Sequence, residues 1–333
     1  MPHPFIPHRL LRNRHAQTIA GWAWKPRIAL PPAEDRLFEV AAGVQVLCRC
    51  HWQVTQNSKR NMQDSARAAA DGMTLLLVHG LEGSSESNYI RGTASKAFAA
   101  GMNVVRMNIR NCGGTEHLSR TLYHSGLSED VGEVGSLLAK DERVGVVAIA
   151  GFSLGGNQVL KLAGEWGGTA PPYVRGVVAV SPAVDLDVSC DLLHLWRNRI
   201  YEWQFLRSLK RRVSLKEKIN GTADIESLRA IRSMREFDDR VTAPSFGFAG
   251  ARDYYARASA SPLLERISLP TLVIFAEDDP FICLLPETRK RLGANPNIIT
   301  LSCEHGGHCA FIAPHGRRWA EEQIVEFLAS QIE

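Results

Sequence analysis

The sequence contains no C-x-x-C pair. Its seven cysteines, Cys48, Cys50, Cys112, Cys190, Cys283, Cys303 and Cys309, are odd in number and scattered. Neither a disulfide framework nor a zinc ribbon is indicated, and a reducing cytoplasm is the simpler setting. No window approaches the ~20 apolar residues of a membrane-spanning helix. The opening "MPHPFIPHRLLRNRHAQTIAGWAWKPR" is Arg-rich but has early prolines and no long apolar core, which fits a secretory signal poorly. An organelle transit peptide is the alternative, although the Trp and Ile content is that of a segment that packs. An excess of one charge is also missing: 39 Lys and Arg against 35 Asp and Glu leave +4, too little to indicate nucleic acid from charge alone. There is no internal repeat, no low-complexity tract and no dinucleotide fingerprint of the kind redox folds carry.

What is present is enough for a large core: 333 residues, 45% of them hydrophobic, room for one large domain or two ordinary ones. After an N-terminal arm over residues 1–30, "RLFEVAAGVQVLCRCHW" alternates as two paired strands with Ala-Gly at the turn. A polar stretch from about 54 to 72 reads as a loop. Then "MTLLLVHG", "MNVVRMNI", "VGVVAIAG" and "VRGVVAVSP" read as strands, separated by the helical stretches "SNYIRGTASKAFAAG" and "EDVGEVGSLLAKD" and a helix from near Leu154. This rhythm predicts a single α/β domain with a mostly parallel central sheet flanked by helices. It breaks at 185–262, a polar, Arg/Lys-rich, helix-prone stretch expected to be an inserted lid. It resumes with the strands of "LPTLVIFAEDDP" and "NIITLSCEHGGH" and the closing helix "GRRWAEEQIVEFLASQI".

Within "VVAIAGFSLGGNQVL" an apolar run stops at Gly151, places Ser153 between glycines and restarts as a helix. A strand, a very tight turn and a helix read this way, and the G-x-S-x-G spacing keeps Cβ atoms from colliding around the exposed serine. A serine hydroxyl needs a base to take its proton and a carboxylate to orient that base. "AEDDPF" offers Asp278 and Asp279 after one strand, and "CEHGGHCAF" offers His305 and His308 after the next. Asp279 is the expected acid, with Asp278 and Asp185 as competitors; Asp279 also has a plain reading as a turn former before Pro280. His308 is preferred to His305 because the two glycines before it let the loop swing toward the serine. A zinc site on these histidines lacks a helix and a third ligand, so no metal or cofactor is expected. The carbonyl oxygen of a substrate needs two backbone N–H groups, and Leu81 in "LLVHGLEGSS" and Leu154 are the candidates.

With these loops placed, the sequence resembles the α/β-hydrolase superfamily, and within it the YheT-like branch related to the membrane-anchored ABHD lipid hydrolases. The stretches "RNRHAQTIAG", "VHGLEGSSESNYIR", "NIRNCGGTE", "GFSLGGN", "REFDDRVTAPSFGFAGARDYY", "DDPF" and "HGGHCAF" carry the resemblance over nearly the whole chain. It implies a serine carboxylic-ester hydrolase with Ser153, Asp279 and His308 as its triad. Family members often have Val-Gly after the last histidine. Cys309 and Ala310 stand there instead, a departure expected to leave the triad alone and to alter the pocket wall. The membrane anchor of the eukaryotic relatives is absent from this sequence.

"LLHLWRNRIYEWQFLRSLKRRVSLKEK" interleaves Trp196, Tyr201, Trp203, Phe205 and Leu206 with arginines and lysines. The plainer expectation is a helix with its aromatics on the core and its charges in water; the other is transient contact with anionic lipid. The functional expectation is esterase or lipase-like hydrolysis of small-molecule or lipid esters with short to medium acyl groups. Acyl transfer by the same residues, or a non-catalytic binding protein on the same scaffold, are the alternatives. No nucleic-acid partner is expected, and nothing indicates an oligomeric state.

Overall fold

The apolar runs become strands. In the computed structural model, which describes residues 4–53, 72–220 and 225–331, β1 (Glu34–Ala41) and β2 (Val44–His51) form the expected antiparallel pair. Gly43 makes their turn at a φ of +67°, where a side chain would be strained. The stretch expected to be a loop at 54–72 falls, except for its last residue, outside the described residues. The remaining strands are β3 (Met73–Val78), β4 (Asn103–Met107), β5 (Val146–Phe152), β6 (Val174–Val180), β7 (Thr271–Ala276) and β8 (Ile298–Cys303). They lie in one sheet in the order β1-β2-β4-β3-β5-β6-β7-β8. From β3 to β8 every pairing is parallel. The chain steps outward from β3 to β4 and then returns to the far side of β3 for β5. Connections leave in opposite directions from the carboxyl ends of β3 and β5, and a crevice opens there.

Helix α1 (Arg14–Ala23) lies in the N-terminal arm, capped by Asn13, whose side chain accepts from the His15 and Ala16 amides. Helices α2 (Asn88–Ala99), α3 (Glu129–Leu138) and α4 (Leu154–Trp166) follow β3, β4 and β5. Between β6 and β7 the rhythm changes. The chain runs through α5 (Leu186–His194), α6 (Arg199–Asn220), α7 (Ile225–Ala230), α8 (Met234–Phe237), a π-turn at Asp238–Thr242 and α9 (Ala251–Ala258). Helices α10 (Pro286–Ala294) and α11 (Trp319–Ala329) complete the chain. No described helix is long and apolar enough to cross a membrane.

Side chains alternate across a strand, so each sheet face takes every second residue. On one face Leu75, Leu77, Ala148, Ala150, Val178 and Ile274 are buried together with Ile90 and Ala94 of α2 and Ile324 and Leu328 of α11. On the other, Leu76, Val78, Val147, Ile149, Val177 and Val273 meet Val131 and Val134 of α3 and Val159 and Leu160 of α4. Each Val, Leu or Ile side chain so removed from water contributes about 1.5–3 kcal/mol. The double-sided burial explains why these strands read as continuous apolar runs.

The plain expectation for α6 is met by Tyr201, Phe205 and Leu206, which pack on the core, and is corrected at four other residues. Trp196 just before it and Trp203 on it are 84% and 56% exposed, while Arg212 and Lys216 are buried. Partners supply the reason. Arg212 reaches the carboxylates of Glu82 and Glu116, and Lys216 donates to the Glu116 carbonyl at 2.7 Å. A buried cation is tolerated where it is paired in this way.

Candidate active site

At the carboxyl end of β5 the chain must reverse into α4 within two residues. It does so at Ser153, with φ +55° and ψ −117°, a conformation that costs about 1–3 kcal/mol for a residue with a side chain. The flanking glycines are forced by contact. A Cβ on Gly151 would lie 2.2 Å from the Gly155 carbonyl oxygen, and one on Gly155 would lie 2.5 Å from that of His79. The Ser153 N–H donates to the Val180 carbonyl at 2.9 Å, and its carbonyl accepts from the Ala183 amide at 3.2 Å. The turn is thereby pinned to β6, and only the hydroxyl is left facing the crevice.

His308 arrives from the loop after β8, and its Nε2 lies 2.9 Å from Ser153 Oγ. Its Nδ1 lies 2.7 Å from Asp279 Oδ2. A carboxylate only accepts, so Nδ1 carries the proton and Nε2 faces the serine as an acceptor. Burial works against a charge on this imidazole, but the Asp279 carboxylate outweighs it and holds the His308 pKa above the ordinary imidazole value. Asp279 is itself buried, and its Oδ1 accepts from the amides of Phe281 at 3.1 Å and Ile282 at 2.9 Å. The Phe281 ring stands 4.2 Å from the imidazole, centroid to centroid.

The competing residues are elsewhere. Asp278 accepts from the Gly307 amide at 2.9 Å and lies 3.5 Å from His305 Nδ1. Asp185 precedes α5 and binds the Thr288 hydroxyl and the Leu285 amide. The glycines before His308 serve close packing rather than swing. A Cβ on Gly306 would lie 2.7 Å from the Phe311 ring, and Gly307 sits at φ +57° with α1 against it. Cys309 is not among the residues that line the cavity beside Ser153, contrary to expectation. Its amide donates to Ser181 Oγ at 3.2 Å, which turns it toward β6.

Leu81 follows the third loop, after β3. Buried His79 donates from Nδ1 to the Gly80 carbonyl at 2.8 Å and accepts at Nε2 from the Ile109 amide at 3.1 Å. Desolvation lowers its pKa to about 4, so the ring is neutral and fixes the bend as a simple bridge. Gly80 N–H donates to Tyr89 Oη at 3.0 Å. Leu154 is the first residue of α4, where N–H groups lack intrahelical acceptors. Leu81, Ser153 and Leu154 border one cavity of about 120 Å³. Its walls include Phe205, Leu209 and Val213 of α6, and its polar side includes Asp238, Thr242 and Tyr255.

A family model described as the alpha/beta hydrolase fold matches residues 74–313. The chain belongs to the α/β-hydrolase family. Over 337 aligned residues it is 32% identical to YheT of Escherichia coli, which is named as an esterase, and the alignment covers 99% of this chain and 94% of that one. It is 28% identical to a monoacylglycerol lipase of Saccharomyces cerevisiae over 76% of this chain and 58% of that protein, so the match spans little more than half of the yeast protein. In three dimensions it resembles the esterase Pf2001 of Pyrococcus furiosus, with a TM-score of 0.58, 14% identity, and coverage of 93% of this chain and 100% of that one; that likeness concerns the fold. The chain thus shares its family with proteins that are named as esterases and lipases.

In this α/β-hydrolase the residues that sequence reasoning missed are those that hold the His308 loop. Thr18 Oγ1 accepts from the His308 amide at 2.9 Å. Gln17 closes a two-way bridge with Ile312, accepting from its amide at 3.1 Å and donating to its carbonyl at 3.3 Å. A fully buried glutamine in an otherwise partly exposed helix is the mark of this role, but burial of α1 is not written in its own sequence.

Proposed function

We propose that Ser153 is the nucleophile, His308 the general base and acid, and Asp279 the group that orients and stabilises the imidazole. The observation that carries this reading is the unbroken hydrogen-bonded line Asp279–His308–Ser153, with steps of 2.7 and 2.9 Å, at the crevice of the sheet. Ser153 Oγ attacks the ester carbonyl carbon while its proton passes to His308 Nε2. The oxygen of the tetrahedral intermediate is held by the N–H groups of Leu81 and Leu154. The imidazolium returns the proton to the departing alkoxide, leaving an acyl-serine. Water then gives a proton to Nε2, attacks the acyl carbon and releases the acid, and the serine recovers its proton.

The partly open cavity of about 120 Å³ is somewhat smaller than the ~150 Å³ apolar cavity that accommodates benzene. It suits an acyl group of a few carbons, with longer chains following the wall of α6. We read the chain as one domain, with residues 1–30 as an arm and 185–262 as a lid over the serine. Its seven unpaired cysteines suit the cytoplasm. Trp196, Ile200 and Trp203, at 84%, 68% and 56% exposure, stand out beside Arg207, whose guanidinium lies 5.2 Å from the Trp203 ring centre. This surface supports transient contact of the lid with anionic lipid.

The test is a p-nitrophenyl ester series on wild type and Ser153→Ala. The wild type is expected to prefer short to medium acyl chains, and Ser153→Ala to lose about 10⁵- to 10⁶-fold in kcat. Unchanged turnover in the serine variant ends the assignment.

A further inference from the structure

Glu82, the residue directly after Leu81, is not a glycine, yet its φ is +55°. Left-handed backbone at such a residue persists only where the surroundings hold it. Here the side chain does the holding. Glu82 Oε1 accepts from Tyr123 Oη at 2.8 Å and from Arg212 Nε at 2.8 Å; Oε2 accepts from a second Arg212 nitrogen at 3.1 Å and from the Ser208 hydroxyl. The Glu82 amide donates back to Tyr123 Oη at 3.2 Å. The side chains of Glu82 and Arg212 are only 5% and 10% exposed.

Ser208 and Arg212 are one turn apart on α6, so one face of that helix grips the residue next to a proposed oxyanion donor. The same helix contributes Phe205, Leu209 and Val213 to the cavity wall. Arg212 also reaches Glu116 at 3.3 Å, which ties in the loop after β4. The helix that covers the acyl group and the loop that aims the Leu81 amide therefore share a single buried charge pair.

We infer that Glu82 is a positioning residue clamped by Arg212, so that the Leu81 amide is aimed at the substrate oxygen only while α6 is seated. Lifting α6 removes three of the four donors that hold Glu82 and releases its left-handed backbone. The closed lid thus assembles the oxyanion hole as well as the acyl pocket. This rests on the proposed mechanism with Leu81 as a donor: undiminished ketone affinity overturns the clamp, whereas turnover retained by Ser153→Ala overturns the nucleophile.

Glu82→Gln, Arg212→Met, the double variant and Tyr123→Phe are compared with wild type by kcat and KM on p-nitrophenyl butyrate, by affinity for an alkyl trifluoromethyl ketone and by thermal midpoint. The ketone adds the serine to give an oxyanion and so reports the hole directly. Both charge variants are expected to lose about 10- to 100-fold in kcat with KM changed less than about threefold, and to lose ketone affinity by a similar factor. Tyr123→Phe leaves no unpaired charge and is expected to lose about 2- to 10-fold in both. Removing both charges restores most of the thermal midpoint, because only the part-exposed Glu116 is left without its partner, but does not restore kcat. Recovery of kcat along with the midpoint in the double variant overturns the inference, as does undiminished ketone affinity in all four variants. If Ser153→Ala retains turnover, it is the nucleophile assignment that fails.

Discussion

Ser153 and His308 meet at 2.9 Å, but the loops that deliver them are built in opposite ways. The serine turn lies at the centre of the sheet and is specified locally. Its two glycines are each within two residues, its strand is buried on both faces, and its backbone bonds go to the neighbouring strand. The histidine loop leaves the edge strand β8, which is half exposed. It turns through Gly307, Cys309 and Phe311, all at positive φ. Its anchor is a hydrogen bond to Thr18, 290 positions away in the chain. One end of the relay is held by steric exclusion within a few residues, and the other by contacts that exist only once the two chain ends have met. Local sequence changes should therefore break the first, and distant ones should loosen the second.

After the loss of Ser153 itself, the largest effect is expected where the acid joins the two ends. Asp279→Asn should lower kcat by about 10⁴-fold, while Asp185→Asn and Asp278→Asn, whose carboxylates serve other loops, should change it by less than about tenfold. The pH profile sharpens this. The Asp279 carboxylate raises the His308 pKa, and an imidazole proposed as the base works only when neutral. Removing that charge lowers the pKa, so the acid limb of kcat/KM should move to lower pH in Asp279→Asn. A limb that stays in place, or a larger loss in Asp185→Asn, would put the acid in the wrong loop.

A smaller effect tests the distant support. Thr18→Val leaves the His308 amide without its acceptor, a loss of about 1–3 kcal/mol, and should lower kcat by about tenfold with KM nearly unchanged, whereas Thr18→Ser should restore most of it. A Thr18→Val enzyme with wild-type kcat would mean that the histidine loop is as self-sufficient as the serine turn. The smallest effect concerns the outer face of α6. Activity on anionic vesicles should exceed that on neutral ones by a few-fold and fall as salt screens the arginines. Equal rates would remove the lipid contact without touching either end of the relay.

The same contrast explains what could be read in advance. The strands, their alternation with helices and the turn at Ser153 depend on neighbours in the chain, and periodicity and the glycine spacing report them directly. The order Ser, Asp, His points to the ends of β7 and β8 for Asp279 and His308, but the choice among Asp185, Asp278 and Asp279 depends on which carboxylate faces the imidazole. Trp203 and Arg212 on α6 run against the pattern, because hydrophobicity alone sends tryptophans inward and arginines outward. Burial of Arg212 is stabilised by Glu82, which comes from a loop 130 residues earlier. The bracing of His308 by Gln17 and Thr18 leaves no local mark in the sequence for the same reason.

The most direct measurement is covalent labelling by a fluorophosphonate, followed by mass mapping of the modified peptide in wild type, Ser153→Ala and His308→Ala. The account predicts rapid modification of Ser153 in the wild type, none in Ser153→Ala, and a slowing of at least about 10³-fold in His308→Ala. Modification at another residue, or labelling of Ser153 at the wild-type rate without His308, would contradict it.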